Sequence, residues 1–135
     1  MDKIQIVEDD GCLNASLVAA LTNEYEVRAV TDGAAAVDFL DENSVDLVLL
    51  DMVMPERDGF SVLSYIAGMA PKPRVVVLSV LTQVSRVVKT MRLGASDYLV
   101  KPCDLNKLKR VLRDTLAVRP PAEAVALPMA PAEGG

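Results

Sequence analysis

The chain has 135 residues, 51% of them hydrophobic, which is enough for one domain with a single core and too short for two ordinary ones. A formal net charge of −5 and a pI of about 4.7 exclude the basic footprint that phosphate-backbone binding requires, so nucleic acid is not expected as a direct partner of this domain. The chain contains no histidine, which removes Ser-His-Asp and Cys-His nucleophiles, histidine metal sites and phosphohistidine carriers; any catalysis must run on carboxylates, Lys and hydroxyls.

The opening MDKIQIVEDDG has one early Lys followed by acids. It holds no apolar run long enough for a signal peptide or a membrane span, so a cytoplasmic protein is expected. Lys3–Val7 predicts the first strand, and Leu13, Leu17, Ala20 and Leu21 follow at helical spacing. Tyr25–Val30 predicts a second strand and Ala36, Val37 and Leu40 a second helix. Val45–Leu50 (VDLVLL) and Arg74–Leu78 (RVVVL) are almost unbroken aliphatic runs, which suits strands covered on both faces; Phe60, Leu63 and Ile66 mark the helix between them. Val84, Val87, Val88 and Met91 predict a fourth helix with a buried face, Tyr98–Val100 a fifth strand, and Leu105, Leu108, Val111 and Leu112 a last helix.

Five strand-helix units predict an α/β fold, a (βα)₅ doubly wound parallel sheet of flavodoxin-like type with strand order 2-1-3-4-5. Ligands of such sheets bind at the carboxyl ends of the strands, where the order reverses between strands 1 and 3. The domain should cover residues 1–118. Residues 119–135 carry four prolines and no large apolar periodicity, and read as a flexible linker or tail. Cys12 and Cys103 have no metal-ligand spacing and read as reduced packing residues.

Glu8, Asp9 and Asp10 directly follow the first strand, and Asp51 directly follows the third, so all four should meet at one sheet edge. Carboxylates held together repel unless a cation neutralises them, and an all-oxygen set suits Mg²⁺, or Mn²⁺. Ser79 at the end of the fourth strand and Lys101 at the end of the fifth point to the same edge. A carboxylate nucleophile, a hard metal, a hydroxyl and an ammonium are the set that phosphoryl transfer to Asp51 needs. Each piece alone has a plainer explanation: a helix cap for the acids, a turn for Asp51, solvated punctuation for Lys-Pro. Their convergence from four strands favours the chemical reading.

The segments IQIVEDD, LVLLDMVMPERDGF, VVVLS and LGASDYLVKP resemble the receiver domains of bacterial two-component response regulators, over about Lys3 to Leu116. The resemblance implies a phosphorylation-dependent switch with Asp51 as phosphoacceptor. It implies Glu8 and Asp9 as the acidic pair with Asp9 the more direct metal ligand, the Val53 carbonyl as a further ligand, and Asp10 as an extra acid of the loop. It also implies Ser79 as the phosphate-sensing hydroxyl, Tyr98 as the aromatic switch, Lys101 as the phosphate-binding ammonium, and a cis Lys101-Pro102 bond. The implied partners are a sensor histidine kinase or phosphotransfer protein and a downstream effector, by analogy transcriptional, with no membrane. The last two helices and the strand between them, from Val84 to Leu116, would form the readout or homodimer face. Arg86, Lys89, Arg92, Lys107, Lys109 and Arg110 make it basic.

Three departures stand out. Val80 follows Ser79 where Ala or Gly is usual, which narrows access to the phosphate. Val53 and Leu81 are apolar where polar groups often position water, so slow hydrolysis of the acyl phosphate is expected. Cys103 replaces a common Phe after Lys-Pro. Among rivals, a haloacid-dehalogenase-type phosphatase needs an Asp where Val53 stands, and an FMN binder would meet repulsion from Glu8-Asp9-Asp10. A receiver-like interaction module that takes no phosphate would be expected to have lost Asp51, the acids or Lys101, and all are present.

Overall fold

The computed structural model describes residues 1–54 and 58–118. The proposed linker, residues 119–135, lies outside them. Among the described residues five strands alternate with five helices: β1 (Lys3–Val7), α1 (Gly11–Leu21), β2 (Glu26–Val30), α2 (Gly33–Glu42), β3 (Leu47–Leu50), α3 (Gly59–Ala67), β4 (Arg74–Ser79), α4 (Val84–Arg92), β5 (Asp97–Val100) and α5 (Leu105–Ala117). All pairings are parallel, in the order β2-β1-β3-β4-β5 expected from the sequence. β1 has the expected limits, the other strands differ from theirs by a residue or two, and the largest difference is at β3, which starts at Leu47 rather than Val45.

Side-chain alternation along the strands builds two cores. Ile4, Ile6, Leu47, Leu49, Val76 and Leu78 face α1 and α5, meeting Leu17, Leu21, Leu108 and Leu112. Val7, Val48, Leu50, Val75 and Val77 face the other way, onto Ala36 and Leu40 of α2 and Val62, Leu63 and Ile66 of α3. Because both faces are covered, β3 is buried along its whole length. Four helices begin at an aspartate whose side chain accepts backbone N–H groups of the first turn: Asp10, Asp32, Asp58 and Asp104.

Helix α4 departs from expectation. Its aliphatic residues were read as a buried face, yet Val84 is 77% exposed, Val88 and Met91 are also exposed, and Thr90 is the buried residue. The buried Thr90 hydroxyl is satisfied by donating to the Arg86 carbonyl one turn back, at 2.8 Å. Three residues of the expected basic face have partners. Arg86 and Lys89 stand over the Phe60 ring of α3, at 6.0 and 4.7 Å from its centroid, and Lys109 pairs with Glu24 at 3.3 Å. Cys103 packs against the α1–α5 core as expected, whereas Cys12 is exposed rather than packed. No described helix is long and apolar enough to cross a membrane.

Candidate functional site

Glu8 and Asp51 lie one residue past the ends of two adjacent central strands, and backbone bonds hold these ends in register. The Asp51 N–H donates to the Val7 carbonyl at 3.0 Å, and the Glu8 N–H donates to the Val30 carbonyl at 3.2 Å. Asn14 of α1 secures the same corner by donating Nδ2 to the Glu8 and Val30 carbonyls, both at 3.0 Å. On the other side the Lys101 N–H donates to the Ser79 carbonyl at 2.9 Å, fixing β5 against β4.

The side chains converge from there. Lys101 Nζ is 2.7 Å from Glu8 Oε1 and 3.2 Å from Asp51 Oδ2, and the two carboxylate side chains are only 3% and 4% exposed. Glu8 Oε2 accepts the Asp10 N–H at 3.1 Å, and Asp51 Oδ1 accepts the Val53 N–H at 3.1 Å. Both buried acids are therefore held by each of their oxygens. Carboxylate oxygens of Glu8, Asp9 and Asp51 lie within 4.8 Å of one another, with Asp9 exposed at the mouth. Asp10 is excluded from this group: its side chain caps α1 by accepting the Cys12 and Leu13 N–H groups. The sequence therefore held both readings at once, two acids at the site and one cap.

Burial raises the Glu8 pKa and the Asp51 charge adds to the rise, while the Lys101 hydrogen bond and the Asp10 amide oppose it. For Lys101, burial pulls the ammonium down, but the Glu8 hydrogen bond and the two carboxylate charges together carry it above its ordinary value. Three carboxylates face one ammonium, so two negative charges remain uncompensated when all are ionised. The donors are hard oxygens, two of them buried and preoriented, and this set fits a hard divalent cation.

Ser79 and Tyr98 stand beside the acids and not among them. Ser79 is fully buried, and its Oγ accepts the Leu81 N–H at 3.3 Å. The Tyr98 ring packs on the α2–α3 core with its hydroxyl donating to the Leu81 carbonyl at 2.5 Å. Burial raises the Tyr98 pKa, opposed by the Ser79 hydroxyl. The Lys101-Pro102 bond is cis, as the resemblance implied, and so is Ala70-Pro71, which nothing in the sequence reading indicated.

Two residues that position the site escaped the sequence reading. Asn14 shares a helical face with Leu17 and Leu21, and a polar side chain on a buried stripe was the available signal. Gly59 opens α3 against the acceptor loop: a Cβ there would lie 2.5 Å from Met52 Cα and 2.7 Å from the Asp51 carbonyl oxygen, so only glycine fits.

A doubly wound sheet whose switch point gathers three carboxylates and a lysine, flanked by a buried hydroxyl and an aromatic, defines the class of phosphoryl-accepting signalling domains. Residues 4–113 match the family model described as response regulator receiver domain, and the chain belongs to that family. It is a receiver domain of two-component signalling, and the reading as a module that takes no phosphate is not favoured. It is 34% identical over 116 residues to the chemotaxis protein CheY of Bacillus subtilis (strain 168), covering 84% of this chain and 97% of CheY. It is 33% identical over 114 residues to the transcriptional regulatory protein ZraR of Klebsiella oxytoca, covering 83% of this chain but only 26% of that relative. Among solved structures it is similar to the receiver domain of sensor histidine kinase PA1611 from Pseudomonas aeruginosa PAO1, described with a magnesium ion coordinated in the active site cleft. That pair has TM-score 0.78 and 26% identity, covering 87% of this chain and 98% of that one.

Proposed function

We propose that Asp51 is the phosphoacceptor of this receiver, that Glu8, Asp9 and Asp51 with the Val53 carbonyl hold Mg²⁺ (or Mn²⁺), and that Lys101 neutralises the incoming phosphoryl group. The observation that carries this reading is the pair of buried carboxylates, Glu8 and Asp51, sharing one ammonium at 2.7 and 3.2 Å with Asp9 within reach. An Asp51 oxygen attacks the phosphorus of a phosphohistidine on a sensor histidine kinase or phosphotransfer protein. The O–P bond forms as the P–N bond breaks, and the leaving imidazole takes a proton. Bound Mg²⁺ supplies neutralising charge for the acids and the phosphoryl oxygens. The magnesium of the Pseudomonas receiver supports that choice of metal. The chain promotes its own phosphorylation and the later hydrolysis by positioning, and is not a turnover enzyme.

Ser79 and Tyr98 act as the switch. The Ser79 hydroxyl follows the phosphate, the Leu81 backbone follows Ser79, and Tyr98 follows Leu81. Output runs through the face made by α4, β5 and α5 to an effector or to a second copy. The exposed Val84, Val88, Met91 and Val100 on these elements support a contact role. ZraR, named a transcriptional regulatory protein, supports a transcriptional effector, and the whole system would work in the cytoplasm. Apolar Val53, Val80 and Leu81 around Asp51 favour a long-lived acyl phosphate.

The test is the intact mass of the wild type and of Asp51→Asn after incubation with Mg²⁺ and acetyl phosphate. A gain of about 80 Da, one phosphoryl group, is expected in the wild type alone and should vanish with EDTA. A gain in both proteins would remove Asp51 from the acceptor role.

A further inference from the structure

Helix α4 is anchored at one end. The other four helices start at an aspartate whose side chain caps the first turn, whereas α4 starts at Gln83, which makes no side-chain cap bond. Its buried residue is Thr90, near the carboxyl end, and Leu93 just beyond packs on the α2–α3 core. The amino-terminal half, from Val84 to Val88, has no fully buried side chain, and its aliphatic residues Val84 and Val88 face solvent. An element held at its far end and loose at its near end can pivot.

An aromatic ring of α3 meets that loose half. Arg86 and Lys89 are three residues apart, hence on one face of α4, and their charged groups lie 6.0 and 4.7 Å from the Phe60 centroid. Clefts flank the contact: one of about 640 Å³ runs from Phe60 and Arg86 to Val53 and Val80, and one of about 590 Å³ is lined by Phe60, Lys89 and Leu93. The contact therefore spans a gap, and it can open without disturbing the core. Phe60 is in turn fixed to the acceptor loop, because the adjoining Gly59 donates its N–H to the Met52 carbonyl at 3.2 Å and packs without room for a Cβ. From the other side, Leu81 connects Ser79 to the start of α4. Phe60 thus ties α4 to the Asp51 side of the site, and Leu81 ties it to the Ser79 side.

We propose that the Phe60 ring and the two cations of α4, Arg86 and Lys89, form an autoinhibitory latch that holds the amino-terminal half of α4 against α3, and that opening it is part of what phosphorylation of Asp51 must accomplish. In the arrangement described, Lys101 is bound to Glu8 and Asp51 and the latch is closed. Movement of Ser79 and Leu81 toward a phosphoryl group pulls on the start of α4, and the latch resists that pull. Two exposed cation–π contacts, at the weak end of their range, together correspond to about a fivefold shift in population. The effect on phosphorylation rests on Asp51 being the phosphoacceptor, whereas the latch itself does not.

The experiment compares the 135-residue wild type with three variants. Phe60→Leu keeps an apolar body and removes the ring, the double variant Arg86→Met/Lys89→Met keeps the stems and removes both charges, and the third combines all three changes. Amide hydrogen exchange is followed through α4, with α5 as the internal reference, and phosphorylation by acetyl phosphate and Mg²⁺ is timed by intact mass. Phe60→Leu and the double variant should each speed α4 exchange about fivefold relative to α5, and each should phosphorylate about threefold faster. The triple variant should exceed neither by more than about 1.5-fold, because the three side chains make one contact. Unchanged α4 exchange in the double variant, multiplication of the two effects in the triple variant, or phosphorylation no faster than wild type despite faster exchange overturns the proposal. If the wild type gains no phosphoryl group, the Asp51 reading fails separately, and the coupling seen in α4 exchange alone then decides whether the latch exists.

Discussion

Replacing Lys101 with Met removes the ammonium while keeping most of the apolar stem, and so isolates what the charge contributes. The side chains of Glu8 and Asp51 are 3% and 4% exposed, and that of Lys101 17%. Removing one member of a buried ion pair leaves the other uncompensated, which costs about 3 kcal/mol. For a domain of this size that is a drop of roughly 12 °C in Tm. Urea unfolding in EDTA should show it directly. Millimolar MgCl₂ should then recover more stability in Lys101→Met than in the wild type, because the cation meets three unneutralised carboxylates instead of two. The deficit should shrink to roughly half at saturation.

The pH dependence carries the same information. Glu8 and Lys101 both have raised pKa values, so each contributes stability that is complete below its ordinary value, 4.5 for the carboxyl and 10.5 for the ammonium. That contribution fades as pH rises through the folded-state value. Lowering the pH toward 4.5 should therefore shrink the Lys101→Met deficit as Glu8 takes up its proton. Equal stability of the two proteins in EDTA, or a deficit that ignores both Mg²⁺ and pH, would refute the account of the site as a charge cluster awaiting a cation.

Gly59→Ala forces a methyl to within 2.5 Å of Met52 Cα, and urea unfolding should show a loss of about 3 kcal/mol. Asn14→Ala leaves the Glu8 and Val30 carbonyls without that donor and should cost about 2 kcal/mol, with weakened Mg²⁺ binding in a thermal-shift titration. Tyr98→Phe deletes the bond to the Leu81 carbonyl; stability should fall by about 1 kcal/mol, and amide exchange in the β4–α4 loop should quicken. Val53→Asn should shorten the acyl-phosphate lifetime measured by mass decay, and an unchanged lifetime would detach Val53 from hydrolysis.

The sheet was legible because β3 is aliphatic throughout and β4 is aliphatic between Arg74 and Ser79, a composition that suits strands covered on both faces. The acids were legible because a parallel sheet places every strand's carboxyl end on one edge, so position after a strand amounts to position in space. The orientation of α4 was not legible. Val84, Val88 and Met91 at helical spacing indicate an apolar stripe, but periodicity does not say whether the stripe meets the sheet or solvent. Burial of Thr90 depends on a hydroxyl bond that spacing does not report. Asn14 and Gly59 were missed for a related reason: what fixes each is a backbone group outside its own helix, at Val30 for one and Met52 for the other.

Leu81 is where the proposed signal would leave the site, because its two backbone groups face different partners. Its N–H donates to Ser79 Oγ and its carbonyl accepts from Tyr98. Neutral hydrogen bonds of this kind are each worth about 1 kcal/mol net. Exchanging the Ser79 contact for one to a phosphoryl oxygen can therefore bias the loop by about 1 to 2 kcal/mol, a factor of roughly 5 to 30 in population. A near-complete switch needs about 5.5 kcal/mol. On the proposed reading the remainder would come from Lys101, whose partners Glu8 and Asp51 would change character if Asp51 acquired a doubly charged group. On that reading polar links from Ser79 through Leu81 to Tyr98 would supply direction to the change, and the buried ion cluster would supply most of its energy.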